Sequence, residues 1–327
     1  MLQNLPDETE VLIFRGNDIP VLPPNIFGSE KNFTNLKIID MSDNKIEEVK
    51  GKTFHHAPSV ERLILNHNSI SFTSSHPRVF SNFENLRELH LNDAFLDYKS
   101  ADLAEQLHTI FMNSNLKRLE KLHLEQNEIE NFADSKVFCD LQNLLDLYLS
   151  NNKLRKLSFD IKCLLQLRYL DLKNNDIKHF TNEELATFDS FIVRNQSFFL
   201  DISKNPFICD CMLNGLYFWL QKTKVTVKNN VTIRCHYMKN HINYSIYIKD
   251  YNKSECNSKL SIYVSESDNY AHFFTQILLF FISFFLFIFL TILSIRYLLE
   301  YCKHSVIPVT KVHYVVIRNS DDREIHV

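Results

Sequence analysis

Four cysteines in the second half of the chain have the types and spacing to do chemistry. Cys209, Cys211, Cys235 and Cys256 form a C-x-C-x23-C-x20-C arrangement. Thiols in this pattern pair as disulfides in an oxidising compartment, or three of them bind zinc together with His236. Zinc sites usually space paired ligands by about two to four residues, so a one-residue gap holds both thiols awkwardly for one tetrahedron. The spacing favours two disulfides and leaves three connectivities open.

A leucine-periodic stretch upstream of these cysteines is the element that must position them. The pattern L-x-x-L-x-L-x-x-N-x-[IL] recurs about every 23 to 30 residues, which is typical of leucine-rich repeats. Its copies contain Leu12, Ile39, Leu63, Leu122, Leu147, Leu170 and Leu200. The inward leucines stack into one core, and each asparagine hydrogen-bonds backbone groups that the tight bend leaves unpaired. We predict an α/β leucine-rich repeat solenoid that is curved, with a parallel sheet on its concave face.

One repeat, which begins at Leu86, departs from the pattern. Ala94 stands where the asparagine belongs, and the next repeat asparagine, Asn127, lies 33 positions on. The stretch 102–116 has apolar residues at i, i+4 and i+8, which predicts a short amphipathic helix packed on the flank of the solenoid. The alternative is that this insertion contacts a ligand.

The cysteines follow the last repeat, where a solenoid exposes an apolar edge unless a capping unit covers it. Leu213, Leu216, Trp219 and Leu220 have helical spacing and suit that role. Two disulfides would then staple a cap too small to hold itself together. We therefore predict a disulfide-stapled C-terminal cap.

Two further cysteines, Cys139 and Cys163, occupy nearly equivalent places in adjacent repeats, each at the start of a return segment. A bridge between the repeats is one interpretation of this placement. We expect two buried thiols instead.

An apolar segment follows the cap. Residues 273–295 contain no charged side chain, and about 20 apolar residues are enough to cross a bilayer as a helix. Basic residues stay on the cytoplasmic side of a membrane. They follow this segment at Arg296, Lys303, Lys311, Arg318 and Arg323. We predict a single-pass type I protein of the plasma membrane, with its N-terminal region outside the cell.

The start of the chain lacks the basic and apolar regions of a signal peptide, while the repeat pattern is already in progress at Leu12. We expect a truncated start; the alternative is that the membrane helix itself directs targeting. The predicted layout is 1–204, repeats without an N-terminal cap; 205–258, cysteine-rich cap; 259–272, juxtamembrane stalk; 273–295, transmembrane helix; and 296–327, cytoplasmic tail.

Other sequence features agree with an extracellular binding protein. All the glycan-acceptor sequons precede the apolar segment. They are Asn32, Asn195, Asn230, Asn243 and Asn252. The net charge of -3 provides no basic field for nucleic acid. The chain has four glycines, no phosphate-cradling loop and no HExxH or Gly-x-Ser-x-Gly motif, so we expect no enzyme activity, cofactor or metal.

Taken together, the chain resembles the trophoblast glycoprotein family, type I membrane proteins with extracellular leucine-rich repeats. The resemblance rests on "LRELHLNDAFLDYKSADLAEQLHTIF", on the cap "NPFICDCMLNGLYFWLQKTKV", and on "VHYVVIRNSDD" in a short tail. It implies pairing of Cys209 with Cys235 and of Cys211 with Cys256. It also implies restraint of Wnt signalling. That family has a cysteine-rich N-terminal cap, whereas no cysteine precedes Cys139 here, which agrees with the expected truncated start.

The predicted binding surface is the concave sheet, where the residues between the repeat leucines face outward. It comprises Arg62, Ile64, Glu88, His90, Lys121, His123, Asp146, Tyr148, Tyr169 and Asp171. Its expected partner is an extracellular protein ligand or co-receptor. Ile325 and Val327 at the carboxyl terminus fit a ligand for an intracellular PDZ domain. The alternative function is a cell adhesion molecule linked to such a PDZ scaffold.

Overall fold

The structure is a computed structural model. It describes residues 2–71, 79–80, 82–95, 100–111, 114, 116–194, 197–252 and 281–297. The chain divides into two compact units, Met1–Cys256 and Asn257–Val327. The first unit contains the repeats.

Nine of the described strands form one parallel sheet, in which strands that follow each other along the repeats lie side by side. In sheet order they are β1 (Val11–Ile13), β3 (Ile38–Asp40), β5 (Arg62–Ile64), β6 (Glu88–His90), β7 (Lys121–His123), β8 (Asp146–Tyr148), β9 (Tyr169–Asp171), β10 (Phe199–Asp201) and β12 (Thr226–Val227). A separate parallel pair joins β2 (Val21–Leu22) to β4 (Glu48–Val49). This confirms the predicted repeat architecture and its parallel sheet.

The strands of the large sheet are short, and most of them supply one buried side chain to the core. Side chains alternate across a strand, so the middle residue points inward while its two neighbours point to the opposite face. The middle residues Leu63, Leu89 and Leu122 pair directly across adjacent strands and are fully buried. Stacking of these layers makes one continuous core along the repeats.

Buried asparagines tie each repeat to the one before it. The Asn68 amide donates to the carbonyls of Leu65 and Met41 at 2.8 and 3.1 Å, and its oxygen accepts from the Ile46 N–H at 3.0 Å. Ala94 lacks this amide, so the Ile70 N–H, the counterpart of the Ile46 N–H, instead donates to the Ala94 carbonyl at 2.8 Å. The irregular repeat therefore keeps its turn without an asparagine.

Two helices lie within the repeat region. Helix α1 (Ser100–Phe111) confirms the helix predicted in the insertion, and Leu107 and Phe111 are fully buried. Helix α2 (Asn182–Val193) was not predicted. Its N-terminus carries a capping box between Thr181 and Glu184, a sequence signal that precedes an apolar run.

The cap covers the last repeat. Helix α3 (Leu213–Lys222) buries Leu213, Leu216 and Trp219, as its spacing predicted. A second sheet adds β11 (Phe207–Ile208), β13 (Arg234–Lys239) and β14 (Ile242–Tyr247). Short 3-10 turns occupy Ile161–Cys163, Asn230–Thr232 and Ile248–Asp250.

In the second unit, the structure describes residues 281–297, which are helical. Nearly all of their side chains are exposed. Within the described ranges, no helix has both the length and the apolar character needed to cross a membrane. Residues 273–280 of the predicted span lie outside the described residues.

Candidate ligand-binding face

The ten predicted surface residues lie in two rows across five adjacent strands, β5 to β9. Residues at the first strand position pair in register, and so do residues at the third. The first row is Arg62, Glu88, Lys121, Asp146 and Tyr169, and the second is Ile64, His90, His123, Tyr148 and Asp171. We call the surface formed by these two rows the sheet face. Most of its side chains are half-buried by their neighbours.

Charged side chains in the first row neutralise one another. Glu88 accepts from Arg62 Nε and, at 2.7 Å, from Lys121 Nζ. Burial raises the pKa of Glu88, but these two cations outweigh it and lower the pKa to about 2. Asp146 is almost completely buried, and its two carboxylate oxygens accept hydrogen bonds from Arg168 Nε and Nη2 at 2.8 and 2.9 Å. This part of the sheet face is thus held by paired charges.

Aromatic rings stack through the second row. The His90 and His123 rings are 4.2 Å apart and parallel within 8°. The His123 and Tyr148 rings are 4.1 Å apart and parallel within 7°. Tyr169 of the first row lies against Tyr148 at 5.2 Å in a tilted arrangement. These four rings, which we call the aromatic ladder, form a continuous surface across β6 to β9.

Burial changes the acid–base behaviour of the second row. Burial of the His90 imidazole, together with the nearby charge of His123, lowers the pKa of His90 to about 4. His90 Nε2 is a buried nitrogen without a hydrogen-bond partner among the described residues. Burial also raises the pKa of Tyr148, Tyr169 and Asp171, and neighbouring carboxylates add to each shift. His90 therefore lies on the sheet face as a neutral ring at pH 7.

Two neighbours of this surface, Asp201 and Lys228, were not predicted. Asp201 adjoins Asp171 in register, and Lys228 Nζ lies 3.8 Å from Asp201 Oδ2. Asp201 follows Leu200 just as Asp171 follows Leu170, so the repeat pattern contains the signal for it. Lys228 has no such signal, because it belongs to the cap, outside the leucine pattern.

The cysteines are structural. Cys209 and Cys235 form a disulfide with 5.1 Å between their Cα atoms, the pairing that the resemblance implied. This bond makes the alternative zinc site wrong. Cys139 and Cys163 are also bridged, with 5.2 Å between their Cα atoms, so our expectation of two buried thiols was wrong. Cys256, the expected partner of Cys211, lies outside the described residues.

The remaining predicted sites are the glycan acceptors and the PDZ-ligand terminus. Asn32, Asn230, Asn243 and Asn252 are exposed, as glycan acceptors must be. Asn195 lies outside the described residues, as do Ile325 and Val327 of the predicted PDZ ligand. Glycosylation and PDZ binding stay predictions.

Comparison with known proteins agrees with this architecture. The model of the family described as "Leucine rich repeat" matches residues 8–70, 34–96 and 117–177. Trophoblast glycoprotein of Macaca fascicularis is 30% identical over 234 residues, which cover 68% of this chain and 54% of that protein. Lumican of Gallus gallus is 29% identical over 182 residues, which cover 52% of this chain and 50% of that protein. The chain spans about half the length of these curated relatives.

Comparison with solved structures also finds trophoblast glycoprotein. The crystal structure of human trophoblast glycoprotein, also named Wnt-activated inhibitory factor 1, superimposes with a TM-score of 0.64. It is 26% identical in sequence, and the match covers 78% of this chain and 89% of that one. The sequence comparison and the fold comparison both identify trophoblast glycoprotein as a relative of this chain. The chain is a trophoblast glycoprotein-like leucine-rich repeat protein.

Proposed function

We propose that this protein is a cell-surface glycoprotein whose sheet face binds a protein ligand or co-receptor. The aromatic ladder is the observation that carries this proposal. Aromatic side chains are enriched at protein interfaces and at the residues that dominate binding energy. The paired charges of Arg62, Glu88 and Lys121 lie beside the ladder, with Glu88 Oε2 3.6 Å from His90 Nε2. A pre-formed surface of this kind loses little side-chain entropy when a partner binds.

We further propose that the ligand belongs to Wnt signalling and that the protein restrains it. The support is the likeness to trophoblast glycoprotein, whose human form is also named Wnt-activated inhibitory factor 1. Such a protein would act by binding, without chemistry of its own.

Expression of the full chain in cells with a Wnt reporter is expected to lower the reporter signal, and Tyr148→Ala is expected to abolish most of that effect. Loss of a central interface aromatic costs about 2 kcal/mol, or about 30-fold in affinity. Tyr244→Ala is the matched control, since Tyr244 also stacks on a tyrosine, Tyr237, but lies in the cap. A reporter unaffected by the wild-type chain would contradict the Wnt role. Binding to neighbouring cells without a reporter response would favour adhesion.

We also propose that residues 273–295 cross the membrane with the repeats outside and the tail inside. The absence of charge over this segment and the exposed apolar side chains of residues 281–295 support this. In microsomes, the full chain is expected to resist alkaline carbonate extraction, and its tail is expected to be cleaved by added protease. Release of the chain by carbonate, or a protected tail, would contradict the proposed topology.

A further inference from the structure

Positive charge is concentrated in the C-terminal cap. Residues 205–252 contain five lysines and one arginine but only two carboxylates, whereas residues 1–204 contain 23 basic and 30 acidic side chains. With its histidines neutral, this part of the cap carries a net charge of +4 within a chain whose net charge is -3. A surface region of one sign raises the local concentration of ligands of the opposite sign. The imbalance indicates an anionic partner for the cap.

The basic side chains of the cap differ from those of the repeats in their partners. In the repeats, basic side chains such as Lys45, Arg62 and Arg168 form ion pairs with carboxylates. In the described part of the cap, only Lys228 lies within 4 Å of a carboxylate, that of Asp201 in the last repeat. The other five basic side chains are all exposed. They are Lys222, Lys224, Arg234, Lys239 and Lys249.

Two of these cations meet at one phenol ring. Arg234 pairs in register with Tyr247 across β13 and β14, and its guanidinium lies 4.3 Å from the centre of the Tyr247 ring. The ammonium of Lys249 lies 5.4 Å from the same centre. Arg234 Nη1 also donates to the Ser245 hydroxyl at 3.5 Å. The ring attracts both cations without neutralising them. We call Arg234, Ser245, Tyr247 and Lys249 the cationic tyrosine site.

The acid–base behaviour of Tyr247 agrees with a positive potential at this site. The hydrogen bond and the charge of Arg234 lower the pKa of Tyr247, and the charge of Lys249 adds to the shift. Asp250 opposes the shift, but its effect is smaller than that of either cation. Negative charge is therefore stabilised beside Tyr247, on a face of the hairpin where Arg234 is exposed.

We propose that the cationic tyrosine site binds a sulfate group of a sulfated polysaccharide. A sulfate group is a permanent anion with several acceptor oxygens, so it accepts from the Arg234 guanidinium and from the Lys249 ammonium at once. A polymer that carries many sulfates is also attracted by the net positive charge of the whole cap. The proposed location of the cap outside the cell favours a polysaccharide over a nucleic acid. The site is separate from the sheet face, so the inference goes beyond the proposed function.

The test is fluorescence anisotropy of a labelled heparin octasaccharide, titrated with the full chain in nonionic detergent at low salt, where charges are least screened. Two control probes are the same octasaccharide without its sulfate groups and a single-stranded DNA of equal net charge. We expect the sulfated octasaccharide to bind at least about tenfold more tightly than the desulfated one, and more tightly than the DNA. Equal binding of the sulfated and desulfated probes would overturn the inference. Equal or tighter binding of the DNA would overturn the choice of a polysaccharide.

A double variant locates the site. Arg234→Gln combined with Lys249→Gln removes both cations and should weaken octasaccharide binding at least about tenfold. The matched control combines Lys45→Gln with Arg155→Gln, which changes the net charge equally at two exposed repeat cations that are paired with carboxylates. It should bind within about twofold of the wild type. Both double variants should unfold at the wild-type temperature, because the replaced side chains are exposed. Equal weakening by the two would show that net charge alone attracts the polymer, and the site would be wrong.

Tyr148→Ala separates this inference from the proposed function. This variant of the sheet face should bind the octasaccharide as the wild type does. If it loses that binding, the polysaccharide binds the sheet face and the cap site is wrong. If the wild type binds no octasaccharide while Tyr148→Ala abolishes the reporter response, the cap site falls and the proposed function stands.

Discussion

Replacing Cys209 and Cys235 together with alanine is expected to lower the free energy of unfolding by about 3 kcal/mol. The bridge closes a loop across 26 positions and so restricts the unfolded chain. Within the cap, it also connects the residue after β11 to β13, where Cys235 is fully buried and pairs in register with Phe207. Without the bridge, the described contacts that hold the cap include apolar packing of α3, strand hydrogen bonds, and side-chain hydrogen bonds such as the one from Trp219 Nε1 to Asp189 at 2.9 Å.

Each repeat of a solenoid contacts only its neighbours, so unfolding that begins at one end of the solenoid spreads inward from that end. We therefore expect the loss to be visible first in the cap. Hydrogen exchange should accelerate in α3 and β13 before it does in β5 and β6. The thermal midpoint of the full chain in detergent should fall by roughly 10 °C.

The bridge between Cys139 and Cys163 is the matched control. It spans 24 positions, so restriction of the unfolded chain alone predicts almost the same loss for its removal. However, the repeats it joins are also held by the cluster of Phe132, Phe138 and Phe159. We expect a smaller loss and no acceleration of exchange in the cap. Equal losses of unfolding free energy for the two double variants would show that the cap bridge stabilises the protein only by restricting the unfolded chain.

The sequence predicted the repeat architecture because its period is set by residue type. Each of the eight repeat strands of the large sheet, β1, β3 and β5 to β10, places one leucine or isoleucine inward, and buried asparagines such as Asn68 and Asn152 mark the turns. The same periodicity located the two rows of the sheet face, because a position between two inward residues must point outward. Prediction succeeded where the local residue pattern determines whether a side chain points into the core or towards the surface.

It failed where separate return segments meet in space. The approach of Cys139 to Cys163 depends on how two irregular segments pack, and no local pattern specifies that distance. The position of Lys228 beside Asp201 depends likewise on how the cap docks on the last repeat. Helix α2 is a different case, because the capping box of Thr181 and Glu184 is a local signal that the sequence contains.

Acidification is expected to destabilise the protein through His90, with a loss of about 2 kcal/mol between pH 7.5 and pH 5. The pKa of His90 is about 4 in the folded protein and 6.5 in the unfolded chain. Below pH 6.5 the unfolded chain therefore binds a proton that the folded protein excludes. Stability falls as the pH drops from 6.5 towards 4, where the loss reaches about 3 kcal/mol and then levels off.

Two neighbours define the window in which this effect is measured. The folded pKa of Glu88 is about 2 against 4.5 when unpaired, so the stability that Glu88 contributes is retained above pH 4.5 and lost below it. Between pH 6.5 and 4.5 the titration of His90 is therefore separated from that of Glu88. His123 opposes a charge on His90, because the two rings stack 4.2 Å apart.

The measurement is urea unfolding of the full chain at several pH values, with His90→Gln as the test variant. Glutamine does not titrate, so the variant should lose about 2 kcal/mol less than the wild type over this window. His236→Gln is the control, since His236 is exposed on β13, and its slope should match the wild type. If His90→Gln loses stability as steeply as the wild type, burial of a neutral ring in the aromatic ladder is not the cause. If it flattens the slope, the burial of His90 as a neutral ring is the cause of the acid sensitivity.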